Sequence, residues 1–451
     1  MFAELGMAIA RLRDARRSAR LTRAELDAVK LGKFRDLVRH ANANAPYYTR
    51  LIAEHGIDVE TCTPQDFPVL TKAILMANFD DIVTDRRITK QAVAEFLTRS
   101  TDPGEKFLDH YIVMHTSGTS GEVGYFLYSP SDWMRGTMAG GRRRRPGGMK
   151  RRGKGGRFRI AFYGATGGHF AGVTMMTSIS RGLFRFFMDV RAFEINVPLP
   201  GTIAGLNAFQ PDVLAGYTTA LKMLGEKQKA GALAIAPVAI GATGETVTKA
   251  DMAFLSEAFG GAEVASAYGC TEHLGLGGSN PGGETMTLID NDLFFEFFDD
   301  HSLITNLFNR TMPLIRYRMS DILRPVSAPG DRELVIEALV GRTERTPTFV
   351  NKDGVTDFIS PHTINEIFVA GVTRFQFQIT GEASFRFPVI LEAGLDAEAR
   401  AAAVAGVRSR LTEILAQKGM DNVAFEAPVV DDIPVNARTR KFQLIIDQRA
   451  T

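Results

Sequence analysis

The chain has 451 residues, with 53 lysines and arginines against 51 aspartates and glutamates, so its net charge is only +2. That length suffices for one large domain and a smaller one, and the charge balance gives no argument for nucleic acid or a membrane as a partner. Cys62 and Cys270 cannot make a disulfide scaffold, and no apolar run reaches the ~20 residues of a transmembrane helix.

Residues 1–60 are predicted to be helical. Met1–Arg23 carries arginines among apolar residues but lacks the continuous apolar region and cleavage site of a signal peptide. We therefore expect an amphipathic helix and a soluble cytoplasmic protein. Leu31, Phe34 and Leu37 then recur at helical spacing.

A loop of glycines and hydroxyl residues spans His115–Gly121. The β-rich runs Tyr111–Met114 and Tyr125–Tyr128 flank it, which predicts a β-hairpin with a polar tip. Backbone N–H groups exposed by glycine, together with hydroxyl donors, suit the oxygens of a polyphosphate. No Gly-Lys-Ser/Thr sequence follows, which excludes a Walker loop. An ordinary polar hairpin is the alternative.

The run Arg142–Arg159 is rich in arginine, lysine and glycine and contains no acidic residue. Such a run repels itself and is usually solvated, so we expect a basic surface loop. Contact with CoA phosphates or an acidic carrier protein is the alternative. Nucleic acid is the least favoured partner, because the run lacks the interleaved aromatic residues on which bases stack.

Short β-rich runs alternate with helical stretches from about residue 108 to 340. This alternation predicts an α/β fold with mixed, largely parallel sheets. After Gly341 the pattern changes to a small α+β unit with a long helix at Ala397–Gln417. We therefore place the domains at 1–341 and 342–451. Strands are predicted at Arg159–Tyr163, Pro237–Ile240, Phe294–Phe298, Glu333–Val340, Phe375–Ile379, Pro388–Leu391 and Leu444–Ile446.

Two polar motifs follow expected strands. Ala267–Glu272 follows the apolar run Ala262–Ala267, and Arg316–Asp321 follows Met312–Ile315. Polar residues at strand ends are typical of ligand sites in open α/β sheets. A third motif, Gly341–Arg345, comes a short distance later.

In order and spacing, these motifs resemble those of the adenylate-forming superfamily, which includes acyl-CoA synthetases, adenylation domains and luciferases. Within it, the phenylacetate-CoA ligase type is the nearest match. Ala45–Tyr48, Pro68–Lys72, Gly241–Glu245 and Lys441–Arg449 resemble further segments of that type, so the resemblance spans nearly the whole chain. It implies a large N-terminal domain that binds AMP and the acyl group, and a small mobile C-terminal domain.

The family's chemistry assigns roles to the phosphate side of the site. A carboxylate attacks the α-phosphorus of ATP and pyrophosphate leaves, so the enzyme must mainly position the reactants and neutralise phosphate charge. Glu272 resembles the Mg²⁺ ligand and Thr271 the α-phosphate contact. Glu122 follows the loop where relatives often carry lysine. The implied pyrophosphate cradle is Thr116, Ser117, Gly118, Thr119, Ser120 and Gly121.

The nucleoside side is implied in the same way. Asp321 resembles the aspartate that binds both ribose hydroxyls, a bidentate task suited to a carboxylate. Tyr268, followed by Gly269, would pack on the adenine. Arg342 resembles a second ribose-side residue. Gly244 and Glu245 fall in the adenine-side loop.

Three further residues carry predicted roles. Lys441 resembles the C-terminal lysine that reaches the α-phosphate, with Arg438 and Arg440 as rivals. Glu344 resembles the hinge about which the small domain swings. His169 stands where relatives carry a residue near the substrate carboxylate, and a satisfied loop histidine is its alternative.

The resemblance implies ATP-dependent activation of an aromatic or other small carboxylic acid as an acyl-adenylate, followed by thioester formation with CoA. The expected cofactors are ATP or AMP, Mg²⁺ and CoA. An acyl carrier protein or an amine is the alternative acceptor, and a dimer is compatible with the sequence. Two other hypotheses are nucleotidyl transfer that leaves AMP on a cofactor, and a non-catalytic nucleotide-binding protein. Retention of the loop with Glu272, Asp321 and Lys441 argues against the last.

Overall fold

The computed structural model describes residues 2–116, 123–138, 156–245, 247–319, 321–337, 346–365, 367, 369–433 and 444–449. Among the helices in these ranges, none combines the length and apolar character needed to cross a bilayer. The helices are α1 (Phe2–Ser18), α2 (Arg23–Asn44), α3 (Pro46–His55), α4 (Lys72–Ala77), α5 (Phe79–Ile82), α6 (Lys90–Arg99), α7 (Pro130–Thr137), α8 (Ala171–Arg181), α9 (Leu199–Phe209), α10 (Thr218–Lys229), α11 (Lys249–Ala258), α12 (Pro361–Asn365) and α13 (Ala397–Gln417).

The strands form several sheets. They are β1 (Ile112–His115), β2 (Tyr125–Tyr128), β3 (Phe158–Gly164), β4 (Met188–Glu194), β5 (Val213–Tyr217), β6 (Ala239–Thr243), β7 (Glu263–Cys270), β8 (Leu274–Ser279), β9 (Thr285–Leu288), β10 (Leu293–Phe297), β11 (Ser302–Asn306), β12 (Tyr317–Met319), β13 (Val335–Glu337), β14 (Thr348–Val350), β15 (Thr356–Phe358), β16 (Val372–Phe375), β17 (Phe377–Gly381), β18 (Ser384–Arg386), β19 (Val389–Leu391), β20 (Ala424–Glu426) and β21 (Ile445–Asp447).

An eight-stranded sheet in the order β13-β9-β8-β7-β6-β5-β3-β4 forms the centre of the large unit. The strands from β3 to β7 pair in parallel, whereas β8, β9 and β13 pair antiparallel. Ala161, Phe162 and Tyr163 in β3 are all buried although successive side chains point to opposite faces, so both faces of the sheet are covered. The carboxyl ends of the parallel strands meet at one edge, where ligands bind in such sheets.

The glycine-rich segment is framed by the predicted hairpin. Strands β1 and β2 pair antiparallel from Ile112 opposite Tyr128 to His115 opposite Tyr125, and they form a separate two-stranded sheet. The side chains of Val113, Met114 and Phe126 are buried in the core that also holds the N-terminal helices. The hairpin is therefore anchored by apolar burial below its polar tip.

The strand predicted at Met312–Ile315 is wrong. Met312–Ile315 is a buried loop, and the strand in this region, β12, covers Tyr317–Met319 of the polar motif itself. Arg316 adopts a φ of 49°, in the left-handed region, which interrupts extended backbone between the two segments. The apolar run is apolar because it fills the core, not because it pairs in a sheet.

The C-terminal unit is an α+β unit. Helix α13 has the predicted bounds, and its buried residues pack in a core with the sheet β20-β18-β17-β21. The single strand predicted at Phe375–Ile379 is instead two strands of different sheets, β16 and β17, separated at Gln376. Gln376 donates its backbone N–H to Pro388 O (3.2 Å), outside either ladder. Together, the mixed, largely parallel sheet and the smaller α+β unit confirm the predicted fold class.

A buried ion pair joins the C-terminal unit to the large unit. Lys418 and Asp357 are 3.0 Å apart, with 1% and 0% of their side chains exposed. Lys418 Nζ also donates to Ile195 O (3.0 Å) and Val197 O (3.1 Å), and Leu199 N donates to Asp357 (2.9 Å). Burial lowers the pKa of Lys418, and the Asp357 carboxylate opposes that shift. Lys418 and Asp357 of the C-terminal unit thus form hydrogen bonds with backbone groups of residues 195–199 in the large unit.

Candidate active site

The base of the phosphate hairpin is fixed by Thr116. Its N–H donates to Gly124 O, and its hydroxyl accepts from Gly124 N, both at 2.9 Å. A residue at each end of the loop is therefore held in reciprocal hydrogen bonds, so the loop leaves the hairpin at a defined place. Ser117, Gly118, Thr119, Ser120 and Gly121, which complete the predicted cradle, lie outside the described residues.

The motif Ala267–Glu272 runs through strand β7 into the tip of a β-hairpin. Cys270 pairs with Leu274, which leaves a loop of Thr271, Glu272 and His273. Leu274 has a φ of 60°, as expected where a three-residue hairpin loop closes through a left-handed residue. The predicted metal ligand, Glu272, is therefore the central residue of the loop that follows the strand.

Hydrogen bonds from Tyr128 and the packing of the His273 ring hold the hairpin tip in place. Tyr128 Oη, at the end of β2, donates to Thr271 O and Glu272 O, both at 2.8 Å. The His273 ring is fully buried and packs edge-on against Tyr317, with ring centroids 5.7 Å apart. Burial lowers the pKa of His273 to about 3, so the ring is neutral and serves as packing.

Glu272 has the electrostatic setting of a ligand for a hard cation. Its side chain is buried, and burial raises the pKa of the carboxyl above its usual value. The Lys72 ammonium opposes that rise, while the Asp321 carboxylate adds to it. A carboxylate with a desolvation cost, beside a hairpin that is predicted to bind phosphate, would gain from a bound cation.

Lys72 is a site residue that the sequence analysis did not single out. Its Nζ lies 3.4 Å from Thr116 Oγ1, and its charge acts on Glu272. Thr71 caps helix α4, which begins at Lys72, and Leu70 pairs with the β12 segment through Leu70 N to Arg316 O (3.1 Å). The sequence held one signal for Lys72. Glu122 rather than a lysine follows the glycine-rich loop, so a site for phosphate there would need a cation from another segment.

The predicted nucleoside residues Tyr268 and Asp321 are in contact. Tyr268 Oη donates to Asp321 Oδ2 at 2.8 Å, and Ser302 Oγ donates to Asp321 O at 3.0 Å. Burial raises the pKa of Tyr268 well above its usual value, so the phenol stays a donor. Asp321 is exposed and keeps carboxylate lone pairs available for further donors.

The adenine-side loop follows β6 at the same edge of the sheet. Gly244 has a φ of 77°, and a Cβ there would approach the Tyr217 ring to 2.8 Å, so both backbone and space require glycine. The Glu245 carboxylate accepts from Thr219 N (2.7 Å) and Thr219 Oγ1 (2.9 Å). Glu245 thus fixes this loop to the first turn of α10.

His169 is held within the protein. Its side chain is 1% exposed, Nε2 lies 3.0 Å from Ser100 Oγ, and the ring packs against Phe96. Burial lowers its pKa, and the charge of neighbouring His115 acts in the same direction. Its Nδ1 is buried without a hydrogen-bond partner among the described residues, so the ring is only partly satisfied and its site role stays a prediction. Lys441, Arg342 and Glu344 lie outside the described residues, so their roles stay predictions.

No protein-family model matches the chain, and no curated protein matches it. Among solved structures, it is similar to an open conformation of 2-hydroxyisobutyryl-CoA ligase in complex with 2-HIB-AMP and CoA. The identity is 15%, the match covers 95% of this chain and 93% of that chain, and the TM-score is 0.52. It is also similar to the thioesterification state of that ligase with the same ligands. There the identity is 17%, the match covers 95% of this chain and 90% of that chain, and the TM-score is 0.54. At such identities the likeness establishes the fold alone, which is the fold of that ligase.

Proposed function

We propose that the protein is an adenylate-forming ligase. It activates a carboxylic acid with ATP, releases pyrophosphate, and transfers the acyl group from the adenylate to CoA. The observation that carries the proposal is the convergence of Lys72, Thr116, Glu272 and Asp321 around the ends of β1, β7 and β12. The similar ligase was solved with an acyl-adenylate and CoA bound, which supports the same reaction class here.

The phosphate side of the reaction needs donors and positive charge. The hairpin tip after Thr116 donates hydrogen bonds to the β- and γ-phosphates, and Lys72 neutralises them from helix α4. Glu272 would hold Mg²⁺, which would withdraw charge from the phosphates when bound. Lys441, carried by the C-terminal unit, approaches the α-phosphate. These groups together lower the charge that the incoming carboxylate meets.

The nucleoside side orients the same phosphate. The Asp321 carboxylate accepts from the ribose hydroxyls while Tyr268 holds one of its oxygens and covers the adenine. Gly244 gives the base room beside Tyr217, and Arg342 assists at the ribose. We further propose that the acid binds near the ends of β5 and β8, at the edge of the sheet where the parallel strands end. We propose an aromatic or other small acid, as in the phenylacetate-CoA ligase type.

The proposal is tested by pyrophosphate release over a panel of aryl and short aliphatic acids, each with ATP, Mg²⁺ and with or without CoA. We expect release that depends on the acid and accelerates with CoA, together with an acyl-CoA product. Acid-dependent release that ignores CoA would reassign the acceptor to a carrier protein or an amine. A stable AMP adduct in place of free AMP would instead establish nucleotidyl transfer.

Replacing Lys441 with alanine is expected to lower pyrophosphate release by about 10² to 10³-fold, the usual loss when one group that stabilises transition-state charge is removed. The affinity for ATP should stay close to that of the wild type, because the proposed nucleoside contacts of Asp321 and Tyr268 are unchanged. Arg438→Ala and Arg440→Ala are matched controls from the same basic run. A full loss in either control, with activity kept in Lys441→Ala, would transfer the role to that arginine.

Replacing Asp321 with asparagine is expected to raise KM for ATP at least about tenfold, because a charged hydrogen-bond acceptor for the ribose is lost. The maximal rate should fall less. Asp300→Asn is the control, since Asp300 is an exposed carboxylate on the neighbouring β10–β11 turn. Steady-state kinetics with ATP as the varied substrate measures both. An unchanged KM in Asp321→Asn would remove Asp321 from the nucleoside site.

A further inference from the structure

Tyr128 connects the two segments that would meet the phosphates. It is the last residue of β2, it is fully buried, and its ring packs against Trp133 with centroids 6.0 Å apart. Its hydroxyl donates to the carbonyl oxygens of both Thr271 and Glu272 at 2.8 Å. A strand of the phosphate hairpin therefore holds the backbone of the loop that carries the predicted metal ligand.

Because Thr271 O and Glu272 O share the Tyr128 hydroxyl as donor, the orientation of the loop backbone is defined. In an extended strand, successive carbonyls point to opposite sides, so one hydroxyl could not reach both. Here the chain turns at Glu272, between the paired residues Cys270 and Leu274. Both carbonyls accept from the last residue of β2, so the backbone of Thr271 and Glu272 has one orientation relative to that strand. Without the hydroxyl, both carbonyls would lose this donor and the tip could pivot.

We propose that Tyr128 is a positioning residue of the adenylation site, whose hydroxyl fixes the Glu272 carboxylate relative to the phosphate hairpin and so sets the magnesium requirement of the reaction. This inference rests on the proposed function. Tyr128 contacts no reacting atom; it acts through the backbone of Thr271 and Glu272. Its effect is to keep the phosphate-binding and metal-binding segments at one separation, which a site that relies on pre-organised charge requires.

Packing alone does not fix the loop in this way. In the same tip, both ring nitrogens of His273 are buried without a hydrogen-bond partner among the described residues. That ring resists displacement of the tip but imposes no hydrogen-bond direction on it. The Tyr128 hydroxyl therefore supplies the directional contact, and its removal should affect metal use more than folding.

The test is Tyr128→Phe, which removes one oxygen and keeps the ring. We expect the Mg²⁺ concentration for half-maximal pyrophosphate release to rise about tenfold, in line with the loss of a buried hydrogen bond. Excess Mg²⁺ should restore most of the rate, and KM for ATP at saturating Mg²⁺ should be unchanged. A merely structural role would lower thermal stability without moving the Mg²⁺ dependence.

Tyr48→Phe is the matched control. Tyr48 is equally buried in the same core, and its hydroxyl donates to a backbone carbonyl, Pro313 O, at the same distance of 2.8 Å. It should lose comparable stability and keep the Mg²⁺ dependence of the wild type. If Tyr128→Phe does not fold, Trp133→Phe, which loosens the packing of the Tyr128 ring, should give a smaller shift in the same direction.

The outcomes separate the two proposals. Wild-type protein without acid- and Mg²⁺-dependent pyrophosphate release would refute the proposed function. A wild-type protein that has this activity, with the same Mg²⁺ dependence in the Tyr128→Phe and Tyr48→Phe variants, would refute the positioning role alone. A shift in both variants would attribute the effect to general loosening of the core and would also overturn the inference.

Discussion

Replacing Lys72 with methionine is expected to reduce pyrophosphate release by about 10² to 10³-fold, a loss typical of removing one pre-organised charge at a reacting phosphate. The physical reason is the balance of charge around Thr116. The residue after the glycine-rich loop is Glu122, where a lysine would have neutralised phosphate, and Lys72 is the cation 3.4 Å from Thr116 Oγ1. Methionine keeps the length of the side chain but brings no charge.

The Lys72 experiment has two internal controls. Lys72→Arg keeps the charge and should retain a measurable part of the activity, although the larger guanidinium cannot occupy the same point. Lys249→Met changes a lysine in the same local context, because Lys249 is also the first residue of a helix capped by threonine and its ammonium pairs with the exposed Glu284. It should leave the rate and KM for ATP unchanged. Wild-type kinetics in Lys72→Met would show that its ammonium does not act on the phosphates.

Replacing Lys418 with methionine is expected to lower the free energy of unfolding by about 3 to 5 kcal/mol, because Asp357 would be left as an uncompensated buried charge. Both side chains are at most 1% exposed, and two carbonyls of the large unit would also lose their donor. Urea titration followed by circular dichroism measures the loss.

The matched control for this pair is Lys352→Met. Lys352 and Asp421 are 3.3 Å apart in the same C-terminal unit, but more than half of each side chain is exposed. Exposed pairs contribute little, so the control should be close to wild type. The double variant Lys418→Met/Asp357→Leu should recover part of the loss, because no lone charge remains. Equal stability of Lys418→Met and wild type would mean that water reaches Asp357.

Local pattern was sufficient for elements whose residues interact with near neighbours. Helix α13 has the predicted bounds because its apolar spacing and the Asp396 cap are local signals. The hairpin strands β1 and β2 were predictable because β-rich runs flank a loop of turn residues.

Residues whose role depends on distant segments could not be predicted in this way. Lys72 is 44 positions from Thr116, and Tyr128 is 143 from Thr271, so no spacing rule connects them. Glu245 was placed in the adenine-side loop by resemblance, and its bonds to Thr219 follow no spacing rule. The run Met312–Ile315 has the composition of a strand, but its burial in a loop is decided by the core around it.

The three-residue tip between Cys270 and Leu274 also limits how this protein can evolve. An insertion or deletion there would shift the register, since one residue more or less turns every following side chain to the opposite face of the sheet. We therefore expect descendants of this chain to keep the number of residues at positions 271–273, with length variation confined to the longer loops.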